Sequence, residues 1–148
     1  EILKTDAFKI LDVYNSKIVN GSILSGSIGA NAHFSNILAA LFLATGQDIA
    51  HVAESSMGIT TIEKEGNDIY ISVTLPDLPI GIIGGGTQLE TQKEALSMLN
   101  LGNDDQKIKR FAEIIAGAVL AGELSVIASL AQNSLACAHK TLGRGENI

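Results

Sequence analysis

The chain has 148 residues and a formal net charge of −6, with 46% hydrophobic and only 4% aromatic residues. This length fits one domain with a sizeable core, and the acidic balance argues against a nucleic-acid or anionic-membrane surface, because both need clustered lysine and arginine. The single cysteine, Cys137, excludes an internal disulfide framework and fits a reducing compartment such as the cytoplasm.

The first predicted element is a helix that starts with the chain itself. Apolar residues follow helical spacing from Ile2 to Tyr14, and the chain opens with glutamate instead of methionine. A helix that runs from the first residue without a cap suggests that the chain is cut from a longer protein.

The next segment, NGSILSGSIGANAH at residues 20–33, is rich in glycine and serine. Such a composition is typical of a flexible linker, but Ile23, Leu24 and Ile28 are too apolar for one. We therefore expect an ordered loop that packs against a core.

Residues 34–45 predict a buried helix that stops at Gly46, and Asp48 then has the position of an N-cap for a short helix that ends at about Ser55. The most apolar run, NILAALFLATG at residues 36–46, is far shorter than the roughly 20 residues of a membrane helix. We expect no membrane segment in this chain.

Two strands, at about 58–64 and 68–75, flank the turn sequence EGND and predict a β-hairpin. A helix at 88–99 follows, and Thr87 with Glu90 forms the S/T-x-x-E pattern of a capping box at its start. The predicted class is α/β in the α+β sense, with many helices and a small sheet.

The sequence NDDQ at residues 103–106 predicts the cap of a long central helix at about 107–131. One side of that helix is smooth and suits close helix contact; its small residues are Ala116, Gly117, Ala118, Ala121 and Gly122. A last helix is predicted at about 133–142.

The stretch IIGGGTQLE at residues 82–90 places three glycines at a predicted helix start. Unpaired backbone N–H groups and the helix dipole favour an anion there, and glycine lets a ligand approach the backbone. The spacing matches neither G-x-G-x-x-G nor a P-loop, and glycine also serves in plain turns. Both interpretations remain open on local chemistry.

Few other residues are candidates for chemistry. Asp48 has a structural alternative as a helix cap, and His139 as a cation near a helix C-terminus. Glu123 lies within an apolar stretch, where a carboxylate needs a partner. The three histidines share no metal-ligand spacing, Cys137 lacks a companion for zinc, and Ser125 with His139 forms no recognisable nucleophile motif.

Three stretches carry a resemblance to a known family. GSILSGSIGANAHFSNILAALFLATGQDIAHVAESS, LPIGIIGGGTQLETQ and AGAVLAGELSVIASLAQNSLACAH occur in the order and with the internal spacing of the C-terminal part of the hydroxymethylglutaryl-CoA reductase catalytic domain. The chain resembles that family from about Leu3 to Arg144, and more closely the biosynthetic class of eukaryotes and archaea.

The resemblance implies an activity and a set of ligands. Members of the family reduce hydroxymethylglutaryl-CoA to mevalonate with two hydrides from NADPH, and NADH is the less expected donor. Coenzyme A is released, and the enzyme is a homodimer or a higher homo-oligomer. The resemblance also implies that this chain is the C-terminal portion of the large, substrate-binding domain.

The resemblance also implies site residues. Asp48 matches the active-site aspartate of the GQD motif, and His139 matches the histidine that protonates the departing thiolate. Asn36 matches the asparagine that lines the hydroxymethylglutaryl pocket. Further implied substrate contacts, on the long helix, are Ser125, Val126, Ser129 and Leu130, and the loop that approaches the nicotinamide is Ile83, Gly84, Gly85 and Gly86.

The chain also departs from the family pattern. The catalytic glutamate, the catalytic lysine and the small dinucleotide-binding domain would all precede residue 1, so the chain alone is expected to be inactive. His51 stands where glutamine or a small residue is expected, and only one histidine remains near the C-terminus. The rival hypothesis is a non-catalytic assembly or regulatory module that keeps the reductase fold.

Overall fold

The computed structural model describes residues 2–135 and Lys140. Helix α1 spans Ala7–Val13 and begins at Asp6, whose Oδ1 accepts a 3.0 Å hydrogen bond from the Lys9 amide. The prediction of a helix from the first residue is therefore wrong, because the side-chain cap at Asp6 sets its start.

The helix continues beyond its predicted end. A π-helical segment, Tyr14–Gly21, follows α1 directly and leads into α2, Ser22–Ser25, which ends at left-handed Gly26. The predicted loop is thus helical as far as Ser25, since adding a residue to an existing helix is easier than starting one. The expected core contacts are also wrong: the exposed fractions are 73% for Ile23, 87% for Leu24 and 80% for Ile28.

Helix α3, Phe34–Thr45, has the predicted bounds and ends at Gly46 with a φ of 70°. A 3₁₀ turn, Ile49–His51, and the short helix α4, Val52–Ser55, follow. The predicted N-cap is confirmed, because Asp48 accepts a hydrogen bond from the Ala50 amide.

The predicted hairpin is confirmed with a shift of one residue. Strand β1, Ile59–Glu65, pairs antiparallel with β2, Asp68–Thr74, in a two-stranded sheet. Ile62 lies opposite Ile71, and Gly66 with a φ of 63° allows the tight turn.

The predicted capping box at the next helix is wrong. A 3₁₀ turn, Gly85–Gln88, comes first, and α5, Glu90–Met98, then begins at Leu89 without a side-chain cap. The Thr87 hydroxyl donates to the Gly84 carbonyl over 2.6 Å instead of accepting from the helix. Thr87 belongs to the turn that precedes the helix, so it lies too early in the chain to cap it.

The long central helix, α6, spans Lys107–Ala131 as predicted. The hydrophobic core has two clusters of buried residues. The first contains Phe34, Leu38, Phe42, Leu101, Phe111, Ile115 and Val119. The second contains Ile10, Ile18, Ile62 and Ile127. A Cβ on Gly122 would lie 2.8 Å from Ile37 Cγ1, so the predicted close helix contact is confirmed there. Gly117 faces open space and makes no such contact.

Helix α6 is also long and apolar enough to cross a membrane by length and composition. The same test is met by core helices, and α6 packs against α1, α3 and β2. Its buried row includes the charged side chain of Glu123. Six of the ten residues of the predicted last helix, 133–142, lie outside the described residues.

Candidate active site

Asp48 is both a helix cap and an exposed carboxylate. Its Oδ1 accepts the Ala50 amide over 3.0 Å, while its side chain remains 67% exposed. Its Oδ2 lies 3.9 Å from Nε2 of His51. The cap uses only one of the two carboxylate oxygens, so the other is available to a ligand.

His51 lies between two carboxylates. Its Nδ1 is bonded to Oε1 of Glu54, and its Nε2 is the atom that approaches Asp48. The His51 side chain is 41% exposed, so both carboxylates meet it near the protein surface.

The glycine loop, residues 83–86, divides into an open part and a packed part. Gly84 and Gly85 have φ of 82° and 53°, and a Cβ on either would meet nothing within 4 Å. Ile83 is 88% exposed. Gly86 packs instead against Gly46: a Cβ on Gly86 would lie 3.0 Å from the Gly46 carbonyl oxygen.

The turn that carries Asp48, residues 46–48, is in direct contact with the glycine loop. A Cβ on Gly46 would lie 2.4 Å from the carbonyl carbon of Gly86 and 2.7 Å from the Thr87 nitrogen. Two backbones this close exclude any side chain between them. The structure thereby places the turn that carries Asp48 against the predicted cofactor loop, although the two segments are about 36 residues apart in sequence.

Asn36 lies away from this pair. Its side-chain nitrogen is 3.0 Å from Nδ1 of His33, and both residues are near the start of α3. Asp48 lies beyond the other end of that helix. The nine residues from Asn36 to Thr45 alone correspond to about 14 Å of helix, so the structure does not bring Asn36 and Asp48 together.

The predicted substrate face of α6 has a polar and an apolar part. Ser125 and Ser129 line an open cavity of about 310 Å³, and the other lining residues are Ile2, Leu3, Lys4, Ala128, Gln132 and Ser134. Val126 packs against the second core cluster, and Leu130 is half-buried. Of this set, Ser125 and Ser129 line this cavity.

Glu123, which precedes this face, is completely buried. The Ala32 amide donates to its Oε2 over 2.9 Å and to its Oε1 over 3.2 Å, and the Thr60 hydroxyl donates to Oε2 over 2.6 Å. The expectation that this carboxylate needs a partner is confirmed. Glu123 joins α6 to β1 and to the segment before α3.

Comparison with known proteins adds a second kind of observation. The family described as hydroxymethylglutaryl-coenzyme A reductase matches residues 1–144. A 3-hydroxy-3-methylglutaryl-coenzyme A reductase of Methanocaldococcus jannaschii is 54% identical over 96% of this chain and 35% of the relative. The protein of the same name in Methanothermobacter thermautotrophicus is 48% identical over 97% of this chain and 36% of the relative. The 3-hydroxy-3-methylglutaryl-coenzyme A reductase 1 of Oryza sativa subsp. japonica is 45% identical over 97% of this chain and 29% of the relative.

The chain belongs to the hydroxymethylglutaryl-coenzyme A reductase family. The chain spans about a third of the length of the relatives it matches. The predicted thiolate acid, His139, lies outside the described residues, as does Cys137. Within residues 2–135, no three His, Cys, Asp or Glu side chains group as a metal site.

The glycine loop exposes backbone at two of its residues. Gly84 and Gly85 carry no side-chain bulk, and the space where their Cβ atoms would stand is open. Their positive φ favours glycine, because other residues rarely adopt it. The loop therefore allows a ligand to approach the backbone closely.

Sequence reasoning missed two residues of this region. His33 is the partner of Asn36, and Gln47 bonds to Gly81, which lies 34 residues away. The sequence contains no signal for the Gln47 pairing, because helical or strand periodicity does not reach across that separation. His33 could have been found, since it lies three residues before Asn36 at a helix start.

Proposed function

We propose that the full-length protein carrying this chain reduces 3-hydroxy-3-methylglutaryl-CoA to mevalonate and releases coenzyme A. The observation that carries the proposal is the contact between Gly46 and Gly86. This contact supports an arrangement in which the Asp48 carboxylate lies beside the open glycine loop, in a chain that belongs to the reductase family. In this proposal NADPH supplies the two hydrides with its nicotinamide end at the glycine loop, residues 83–86, and NADH is the less favoured donor.

In this proposal, Asp48 acts at the thioester oxygen. A hydride that adds to the thioester carbon places negative charge on that oxygen, and the charge must be balanced by a proton or a cation. The free oxygen of Asp48 holds and orients the group that carries that positive charge, while the cap at Ala50 fixes the carboxylate. A neutral side chain there could not hold a cation.

His139 is proposed as the acid for the leaving group. Breaking the carbon–sulfur bond gives an aldehyde and a thiolate, and protonating the sulfur prevents its return to the aldehyde. Histidine titrates near neutral pH and can therefore donate a proton and recover it. This role comes from the resemblance of the C-terminal motif, since His139 lies outside the described residues.

The substrate residues of this proposal are Asn36, Ser125, Val126, Ser129 and Leu130. Two of them, Ser125 and Ser129, face the cavity of about 310 Å³, whose hydroxyl, amide and ammonium groups suit a polar acyl-CoA. We assign the chain to the large, substrate-binding domain of a cytoplasmic homo-oligomer. The remaining catalytic groups would come from outside this chain.

The test is NADPH oxidation by the purified full-length protein with and without hydroxymethylglutaryl-CoA. Oxidation that depends on the thioester and yields mevalonate and free thiol supports the proposal. Its absence, in folded protein, would favour the non-catalytic assembly module. The 148-residue chain alone should show no such oxidation, and activity of the isolated chain would contradict the proposed need for further groups.

A further inference from the structure

The side chain of Gln47 pairs with the backbone of Gly81 through two hydrogen bonds. The Gln47 amide nitrogen donates to the Gly81 carbonyl over 2.9 Å, and the Gly81 amide donates to Gln47 Oε1 over 2.8 Å. The same side-chain nitrogen also donates to the Thr45 carbonyl over 3.1 Å. Both amide hydrogens and the amide oxygen are used, so the side chain has a single orientation.

The Gln47 pairing is the second of two contacts that join residues 46–47 to residues 81–86. Gly46 meets Gly86 at the far side of the glycine loop, and Gln47 binds Gly81 at the near side. Ile80 and Ile82 on either side of Gly81 pack against the first core cluster. The exposed residues 83–85 are therefore held at both ends.

Asp48 immediately follows Gln47, so one short turn carries both the candidate catalytic carboxylate and one half of the Gln47–Gly81 clamp, as we name this pairing. We propose that Gln47 is a positioning residue that fixes the glycine loop relative to the Asp48 carboxylate. This inference rests on the proposed function in one respect, namely that the loop receives the nicotinamide end of a dinucleotide. A loop already held in place does not have to be ordered by the ligand, which strengthens binding.

The chemistry of the site requires an amide. Gly81 offers a donor and an acceptor, and Thr45 offers a second acceptor. Gln47→Glu would place a carboxylate oxygen against two carbonyl oxygens and lose both donated bonds. Gln47→Met would keep the length and remove all three bonds, so Met is the cleaner replacement.

The experiment compares Gln47→Met with Gln92→Met in the full-length protein. Gln92 lies on α5, and its side-chain nitrogen is 3.5 Å from the Leu43 carbonyl of α3. Gln92→Met therefore makes the same chemical change beside α3, but outside the Gln47–Gly81 clamp. Dissociation constants are measured separately for NADPH and for hydroxymethylglutaryl-CoA, together with deuterium exchange of the peptide that contains Gly81.

For Gln47→Met we expect the dissociation constant for NADPH to rise about tenfold, which corresponds to about 1.4 kcal/mol. The constant for the thioester should stay within twofold, and the Gly81 amide should exchange faster. Gln92→Met should change none of these. A lower melting temperature with unchanged NADPH binding, or equal weakening of both ligands, would overturn the inference and leave the proposed reaction intact.

The remaining outcomes separate the inference from the proposed function. If the parent protein binds NADPH but does not reduce the thioester, and Gln47→Met binds NADPH more weakly, the proposed reaction is refuted and the Gln47–Gly81 clamp is supported. If the parent protein binds no NADPH, both are refuted. Gln47→Asn provides a second variant should Gln47→Met not fold, because its side chain is one methylene too short to reach Gly81. An unchanged dissociation constant for NADPH in Gln47→Asn would overturn the inference.

Discussion

The Thr60 hydroxyl donates a 2.6 Å hydrogen bond to the carboxylate of Glu123, which is fully buried. Removing a donor from a buried carboxylate leaves it under-solvated, at a cost of about 1–3 kcal/mol. Thr60→Val keeps the shape of the side chain and should lower the free energy of unfolding of the full-length protein by that amount. Urea denaturation measures the change.

The neighbouring threonine provides the control for this prediction. Successive strand residues point to opposite faces of β1, so Thr61 faces away from Glu123. Thr61→Val removes the same hydroxyl and should change the free energy of unfolding by no more than about 0.5 kcal/mol. An equal loss in both variants would show that the hydroxyl, and not its bond to Glu123, matters.

Asp104 should titrate at an unusually low pH. The Arg110 guanidinium donates to both of its oxygens, over 2.8 Å and 2.7 Å, and with the Gln106 amide holds the pKa of Asp104 at about 2. The folded pKa is below the ordinary value of 3.8, so the pair stabilises the fold above about pH 4 and loses that effect as the pH falls towards 2.

The measurement is a carbon-detected NMR titration of the Asp104 carboxyl. Arg110→Gln should return the midpoint towards the ordinary value, because the charged donors are gone. A midpoint near 3.8 in the parent protein would contradict the ion pair.

Sequence periodicity predicted the elements that are held by their own local pattern. Helix α6 has its predicted bounds because Phe111, Ile115 and Val119 recur every four residues and all are buried. Helix α3 ends where predicted because Gly46 takes the left-handed conformation. The aspartate at position 48 was placed correctly as a cap for the same local reason.

The relations across the chain could not be predicted. The contact of Gly46 with Gly86 and the pairing of Gln47 with Gly81 depend on how the helices fold together, and no local pattern encodes them. The candidate site is built from these long-range relations, so sequence motifs gave its members and not its geometry.

Asp48→Asn should reduce turnover in the full-length protein by about 10² to 10³ while the fold persists. Asparagine caps a helix as well as aspartate does, so the bond to the Ala50 amide survives while the charge is lost. Steady-state NADPH oxidation and the melting temperature are measured together. Unchanged turnover would leave Asp48 with the cap as its sole role.

Gly85→Val should raise the KM for NADPH through side-chain bulk in the open part of the glycine loop. Gly85 has a φ of 53°, so the substitution also adds backbone strain. Gly66→Val is the matched control, because Gly66 has a φ of 63°, also faces open space and lies in the hairpin turn. Both variants should lose similar stability, and a raised KM in both would count against a cofactor contact at Gly85.

His139→Gln should separate a chemical role from a structural one. If His139 protonates the leaving thiolate, thioester reduction should fall by about 10² to 10⁴, the usual contribution of a positioned acid. Reduction of free mevaldehyde, which has no thiolate to expel, should survive much better. The structural alternative, a cation near a helix C-terminus, predicts a loss of only about 0.3–1 kcal/mol of stability and no difference between the substrates.

The ratio of the two rates decides between these roles, because it is insensitive to the fraction of protein that is folded. Lys140→Gln provides the control, because it removes a neighbouring cation and so tests the effect of charge at the end of the predicted helix. It should leave the ratio of the thioester and mevaldehyde rates unchanged. Equal loss on both substrates in His139→Gln would refute the thiolate-acid role. The proton would then have to come from another group near the sulfur, since a thiolate left unprotonated would attack the aldehyde and re-form the hemithioacetal.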